Sequence, residues 1–347
     1  MENKQDNNYP LEIRDVEPDE TEMLIKYFTG VYPGFVRVGP KGYFLQHGFR
    51  KEAFNIYSMD IRPTDVFVIS YPRSGTTWTQ ELVWMVANDL DYEKAKTIPL
   101  IERFPYLECS INFFPKMIKQ IRDKYCDTER KLKCLEYISQ PVTEQLAAST
   151  LPRFVKTHLP LSLLPPSLLD TAKVIYVARD PRDVAVSYFH LNSTMSIRGY
   201  IGDFKTYWKF FINDSHYFTP YFQHLKECWE KRHHPNMIFL FYEELSKDLR
   251  NVINRVSKFL GKNFTEQQID QLCDHLSYDN FKINKSINCD EIRELGLQIP
   301  GKANFIRNGK TGNWRDYFDD EMTAEADKWI SDNLKDTDFR FPHMACP

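Results

Sequence analysis

The apolar positions of this chain fall into short runs separated by polar turns. Val66 to Ile69 is one such run, rich in β-branched side chains, and it predicts a strand. Tyr71-Pro72 ends it, because proline donates nothing to a sheet ladder. Beyond a polar turn, Trp78, Leu82, Val83, Met85, Val86 and Leu90 recur at spacings that share a helix face. Upstream, Phe35 to Val38 and Tyr43 to Leu45 flank Gly39-Pro-Lys-Gly42 and predict a small hairpin. Downstream, Arg153 to Pro160 reads as a short buried strand ending in polar residues. Lys173 to Ala178 is apolar without alternation, as in a parallel sheet covered on both faces. Asp180 is placed to cap the next helix, with Pro181 in its first turn and Ser187 about two turns further in. Met237 to Tyr242 predicts another buried strand with a helical stretch after it, and a charged helix runs to about Leu334. Strands alternating with helices define an α/β chain with a parallel, doubly wound sheet.

Three stretches break the pattern. Residues 1–20 are polar and predict a loose N-terminal tail ahead of a single domain over 21–347. Residues 97–152 mix proline-broken aromatic segments with a charged helical stretch over 116–139. They read equally as a lid over a pocket and as an inserted surface helix. After residue 281 the chain is loop-rich, and Phe305 to Trp314 is a cationic, glycine-bearing segment able to fold back over an anion.

Composition narrows the classes. The chain has 347 residues, enough for one large α/β domain. Its 45 Lys and Arg against 48 Asp and Glu leave a net charge of -3, which speaks against a general nucleic-acid binder. Seven cysteines, odd in number and without a CxxC pair, disfavour a disulfide framework or structural zinc and favour a reducing compartment. The polar start lacks an apolar signal segment, and no run approaches a membrane span. The expectation is a soluble cytoplasmic protein without a metal.

The chemistry-bearing residues gather at predicted strand ends, where such sheets bind ligands. Arg73, Ser74, Gly75, Thr76 and Thr77 form a polar turn leading into a helix, and helix-start amides attract anions. The GxxxxGK[ST] pattern is absent, so this is not an ordinary nucleotide-triphosphatase loop. Arg73, Arg179 and Arg307 can grip a phosphate-like group. Lys156 and His158, two apart on an extended strand, face the same way, and histidine can take a proton from a hydroxyl near neutral pH. Cations for a leaving phosphate and one base for an alcohol describe transfer of an anionic group to a hydroxyl. No acidic pair is placed for magnesium, which disfavours a kinase. Each residue alone has a plainer reading. The turn could be a hydroxyl cap and His158 a structural hydrogen-bonder. Arg179 could pair with Asp180 or Asp183, Ser187 could bond back within its helix, and Lys156 could be solvated. Their shared location weighs against these.

Four ordered motifs carry a resemblance: Tyr71-Pro-Arg-Ser-Gly-Thr-Thr-Trp78, Phe154-Val-Lys-Thr-His158, Arg179-Asp-Pro-Arg-Asp-Val-Ala-Val-Ser187 and Phe305-Ile-Arg-Asn-Gly309. From about Asp65 to the C-terminus the chain resembles the cytosolic sulfotransferase family, and the N-terminal stretch and residues 97–152 look most like that family's insect retinol-dehydratase branch. The resemblance implies a P-loop-like three-layer fold, with a central parallel sheet flanked by helices. It implies the donor 3'-phosphoadenosine 5'-phosphosulfate (PAPS), bound without a metal, and a small lipophilic alcohol or phenol as acceptor, retinol among them. By similarity, Arg73 through Trp78 hold the 5'-phosphosulfate, and Arg179 and Ser187 take the 3'-phosphate with Arg307, Asn308 and Gly309. Tyr242, Leu276, Tyr278 and Phe281 line the adenine side. His158 is the implied general base, Lys156 stabilises the transferring group, and Tyr106 lines the acceptor pocket with both. Arg73 stands where the family usually has lysine, so its catalytic role is electrostatic. Asn308 replaces another lysine and Leu276 a hydroxyl residue. The family's dimer-forming segment is not matched around Arg315 to Glu321, so the usual dimer is not expected. The rival readings are a non-catalytic binder of lipophilic ligand or nucleotide on the same fold, and a P-loop kinase.

Overall fold

A computed structural model of the chain describes residues 9–30, 34–150, 152–288, 293–299, 309 and 311–344. Ile13–Asp15 (β1), Phe35–Val38 (β2) and Tyr43–Gln46 (β3) form a small antiparallel sheet in the order β1-β2-β3. The predicted hairpin is β2–β3, with Phe35 opposite Gln46 and Val38 opposite Tyr43. Pro18–Tyr27 (α1) follows β1. The expected tail over residues 1–20 is therefore corrected: residues 13–15 pair with β2, and α1 starts at Pro18. The strand is too short and polar to announce itself, and only pairing with β2 makes it one. Residues 1–8 lie outside the described set.

The main sheet consists of Val66–Ile69 (β4), Phe154–Thr157 (β5), Lys173–Ala178 (β6) and Met237–Phe241 (β7), all parallel, in the order β5-β4-β6-β7. Side chains alternate between two cores. Phe67, Ile69, Val155, Val174 and Tyr176 enter one cluster, whereas Val66, Val68, Phe154, Ile175 and Val177 enter the other. A sheet covered on both faces explains why these strands are apolar at nearly every position.

Helices supply the covering layers. Between β4 and β5 run Thr76–Ala87 (α2), Pro115–Lys124 (α3) and Glu129–Ser139 (α4). Between β6 and β7 runs Pro181–Thr194 (α5), capped by Asp180 through the Arg182 amide, as its sequence predicts. Leu82, Val83, Met85 and Val86 of α2 pack on the face holding Val68, and Val184, Ala185 and Tyr188 of α5 pack on the face holding Phe67. The three-layer fold is thus observed. The central strand β4 has neighbours on both sides, so the connections diverge beyond its carboxyl end and leave a crevice there. A third, smaller apolar cluster joins Ile121, Leu135 and Ile138 of α3 and α4 to Leu295 and Leu297. Arg130 of α4 adds a 3.3 Å ion pair to Glu294.

Candidate active site

Two left-handed residues shape the turn after β4. Arg73 has φ 70° and Gly75 φ 97°. A Cβ on Gly75 would stand 2.6 Å from Tyr242 Cδ2, so both backbone and neighbour require glycine. Arg73 has no such excuse, and the left-handed region costs an ordinary residue roughly 1–2 kcal/mol. Strain of this kind persists where the surroundings over-determine it. Gly75 caps α2 without a side-chain acceptor, and no acid occupies the first turn, so the helix-start amides remain available to an anion.

Cations converge on that helix start. Arg73 Nε donates to Ser187 Oγ at 3.0 Å, and Arg179 Nη1 donates to the Arg73 carbonyl at 3.1 Å. The Arg179 guanidinium also lies 4.0 Å over the Tyr242 ring. Two nearby carboxylates are committed. Asp180 pairs with Arg182 at 2.7 Å and His343 at 3.1 Å; burial pushes its pKa up, but these partners outweigh burial and hold it at about 2. Asp183 accepts from the Gly312 and Trp314 amides at 2.7 and 3.0 Å, which ties the late loop to the start of α5.

Next to this anion corner is an aromatic slot. Trp78 is fixed by donation from Nε1 to the Leu276 carbonyl at 2.9 Å, with the rings of Tyr242 and Phe281 at 5.9 and 6.4 Å. Gly309 brings its backbone so close to Tyr278 that a Cβ would lie 2.3 Å from the ring. Helix-start amides, two arginines, hydroxyls and flat aromatic walls suit a nucleotide carrying anionic groups at two ends, so the residues present fit PAPS.

His158 sits one residue past β5. Its Nδ1 is 2.8 Å from the Ser70 carbonyl, which can only accept, so Nδ1 carries the proton and Nε2 is left as an acceptor. Its own carbonyl accepts from His224 Nε2 at 2.9 Å. Burial first, and the Lys156 cation second, hold its pKa well below the ordinary histidine range. The imidazole is therefore neutral at pH 7. Tyr106 packs edge-on against it with ring centroids 5.4 Å apart, and Lys156 Nζ lies 4.3 Å from the centroid of the Tyr106 ring. Lys156 and His158 do share a face, as the strand spacing predicts.

One cavity runs through these parts. Arg73, Gly75, Thr76, Thr77 and Trp78 line it from the first turn, Lys156, His158 and Tyr106 from the β5 side, and Arg179, Ser187 and Tyr242 from beyond β6 and β7. Tyr278, Phe281 and Gly309 complete the nucleotide end. Ser74 and Leu276 are placed differently. Both are fully buried, and Leu276 reaches the site only through its carbonyl to Trp78. Arg307 and Asn308 lie outside the described residues, as do Cys289 and Cys346.

Sequence reasoning missed Glu108. Its two oxygens accept from the His158 amide at 2.5 Å and the Thr157 hydroxyl at 2.7 Å, so it holds the strand end that carries His158. Burial raises its pKa to about 7 against these donors. An acid only two residues beyond Tyr106, in a proline-aromatic stretch, was its one visible signal. Also missed were Phe218, which packs 5.7 Å from the His158 ring, and Asn112 and Arg198, which line the far end.

A three-layer α/β fold with an anion cradle, a nucleotide slot and a neutral histidine beside a lysine defines a transferase of anionic groups. The family model described as a sulfotransferase domain matches residues 63–338, and the chain belongs to that family. It is 37% identical over 291 residues to luciferin sulfotransferase of Photinus pyralis, covering 82% of this chain and 75% of that protein. It is 30% identical to human sulfotransferase 1E1, with 86% and 94% covered. A crystal structure of retinol dehydratase with retinol and PAP superposes with TM-score 0.90 at 49% identity, covering 96% of this chain and 99% of that one. Another, with androsterone and PAP, gives 0.91 at 48% identity, with 97% and 99% covered.

Proposed function

We propose that this sulfotransferase transfers the sulfuryl group of PAPS to the hydroxyl of a small lipophilic alcohol, retinol or a similar allylic alcohol in particular. The observation that carries the reading is His158: a buried, neutral imidazole with Nδ1 committed to the Ser70 carbonyl, beside Lys156, in the same cavity as the arginine cluster. When bound, the donor supplies an activated sulfuryl group on a phosphate leaving group. His158 Nε2 takes the proton as the acceptor oxygen bonds to sulfur, a role that typically contributes 10²–10⁴-fold. Lys156 stands beside the transferring group as a point charge, Arg73, which does not give up protons, holds charge on the leaving phosphate, and Arg179 holds charge on the donor's second phosphate. Ser187 contacts the donor's second phosphate, and the Trp78, Tyr242, Tyr278 and Phe281 rings face its base. Tyr106 borders the acceptor.

The acceptor end is lined by Leu100, Ile101, Phe104, Phe113, Ile138 and Leu191, which suits an apolar body. An allylic, conjugated alcohol gives a sulfate ester that is a good leaving group. The C–O bond to sulfate breaks, the electron pair leaves with sulfate, and loss of a proton from the delocalised cation gives an alkene. The relatives solved with retinol and with androsterone support this acceptor class. On this reading the chain is a single sulfotransferase domain that already includes β1 and α1, with the α3–α4 region as a lid over the acceptor, acting in the cytoplasm. No helix among the described residues is long and apolar enough to cross a membrane.

Incubation with labelled PAPS and a panel of hydrophobic alcohols tests the proposal, with products separated into sulfate esters and dehydrated alkenes. Transfer to at least one alcohol, and alkene from retinol, are expected. Absence of transfer to every alcohol and phenol would overturn the transferase reading, and stable retinyl sulfate would overturn the elimination.

A further inference from the structure

His158 and Arg179 occupy equivalent places in the sheet. Each is the first residue past its strand, His158 after β5 and Arg179 after β6, and β4 lies between those two strands. Their carbonyls stand beyond the strand ladder, where a buried acceptor needs another donor. Both donors come from one helix, Tyr221–Glu230 (α6). His224 Nε2 donates to the His158 carbonyl at 2.9 Å, and the Tyr221 hydroxyl donates to the Arg179 carbonyl at 2.5 Å. Positions three apart share a helix face, and this face is dry, with His224 and Tyr221 both fully buried.

The two donors are themselves fixed. A carbonyl can only accept, so His224 Nε2 carries the proton, and Nδ1 accepts from the Tyr176 hydroxyl at 2.9 Å. Burial lowers the pKa of His224 to about 4, so at pH 7 the ring is neutral and keeps that acceptor. The Tyr71 ring packs edge-on against both side chains, with centroids 5.0 Å from Tyr221 and 5.8 Å from His224. Its hydroxyl donates to the Tyr217 carbonyl at 2.8 Å, and two residues further on stands Arg73. Tyr221 and His224 stand behind the cavity rather than in its wall, so each acts through the main chain of a residue that does line it.

We infer that α6 is a two-point clamp on the active site: His224 aims the base, Tyr221 aims the arginine of the donor's second phosphate, and their spacing on one helix sets base and donor at a fixed distance. This rests on the proposed function and deepens it. Both are positioning residues. A reacting group displaced by about 1 Å can lose on the order of 10²-fold in rate. Loss of the His224 donor therefore falls on kcat, whereas loss of the Tyr221 donor falls on affinity for the second phosphate. A helix that merely packs would lower stability without dividing its effects in this way.

The test uses the full-length protein, with kcat counted per PAP-binding site. His224→Leu keeps the bulk and removes the donor; kcat is expected to fall about tenfold to a hundredfold while the Kd for PAP stays within about twofold. His224→Gln brings an amide N–H within reach of the same carbonyl and is expected to recover most of that loss. Tyr221→Phe is nearly isosteric. It is expected to weaken PAP about tenfold while adenosine 5'-phosphate, which lacks the second phosphate, stays within about twofold. Equal kcat in the Leu and Gln variants overturns the clamp, and so does equal weakening of the two nucleotides in Tyr221→Phe. Should His224→Leu bind no PAP, His224→Asn, whose shorter amide stops short of the carbonyl, is compared with Gln under the same expectation. Wild-type protein that sulfates no alcohol would instead defeat the transferase reading, and the nucleotide comparison would still decide the role of Tyr221.

Discussion

On the proposed function, His158 and Glu108 are the side chains whose protonation matters most. The His158 imidazole can act as a base only while neutral. Because burial and Lys156 depress its pKa, acid does not protonate it in the ordinary histidine range near about 6.5. Glu108 runs the other way: burial lifts it to about 7, so it is ionised above that pH and protonated below. Ionised, it accepts charge-assisted hydrogen bonds from both the His158 amide and the Thr157 hydroxyl; protonated, it loses the charge that strengthens them. The expected pH profile of kcat therefore rises through about pH 7. Glu108→Gln should remove that inflection and lower kcat about tenfold, the order of one charge-assisted hydrogen bond. An inflection unchanged in the variant would assign it elsewhere. His158→Ala should lose about 10²- to 10⁴-fold in kcat while PAP still binds in a titration; retained turnover would remove His158 from the base role.

At the scale of elements, the site depends on how helix starts and loops are tied together. Asp183, in the first turn of α5, holds Gly312 and Trp314 by their amides and so fixes the loop that carries Gly309 against Tyr278. Asp183→Ala should weaken PAP binding by roughly 1–3 kcal/mol, read by calorimetry, with little change in the affinity for an alcohol inhibitor. The start of α2 is equally constrained. Gly75→Ala must force a Cβ into Tyr242 at a left-handed position, so both thermal stability and PAP affinity should fall together.

On the scale of the whole molecule, the two large cores sandwich the sheet, whereas α3 and α4 are held by their own small cluster with Leu295 and Leu297. Few buried apolar contacts make a low-stability unit that opens on its own. Leu135→Ala, at a buried position of that cluster, should cost about 2–5 kcal/mol locally. Hydrogen exchange should then quicken over 115–139 while β4 to β7 keep their protection. Uniform acceleration across the sheet would show that the region is part of the main cooperative unit.

Periodicity made the frame legible. Continuous apolar runs in β4, β6 and β7 require cover on both faces, and that requirement alone implies three layers. Motif spacing likewise marked the cations and the histidine, because strand ends of a parallel sheet place such residues together. Other features needed the tertiary structure. β1 exists only by pairing with β2, since three residues with a single apolar side chain, Ile13, are too few to show an alternation of their own. The tautomer of His158 comes from the Ser70 carbonyl, 88 residues away, and its lowered pKa comes first from burial, which sequence pattern does not encode, and second from Lys156. Arg198 looks like a surface arginine when read in order, and it becomes a buried donor only when Asn112 and Tyr217 close around it. Local pattern determines which elements form and which face each buries; desolvation and long-range contact decide what a polar side chain in the cavity can do.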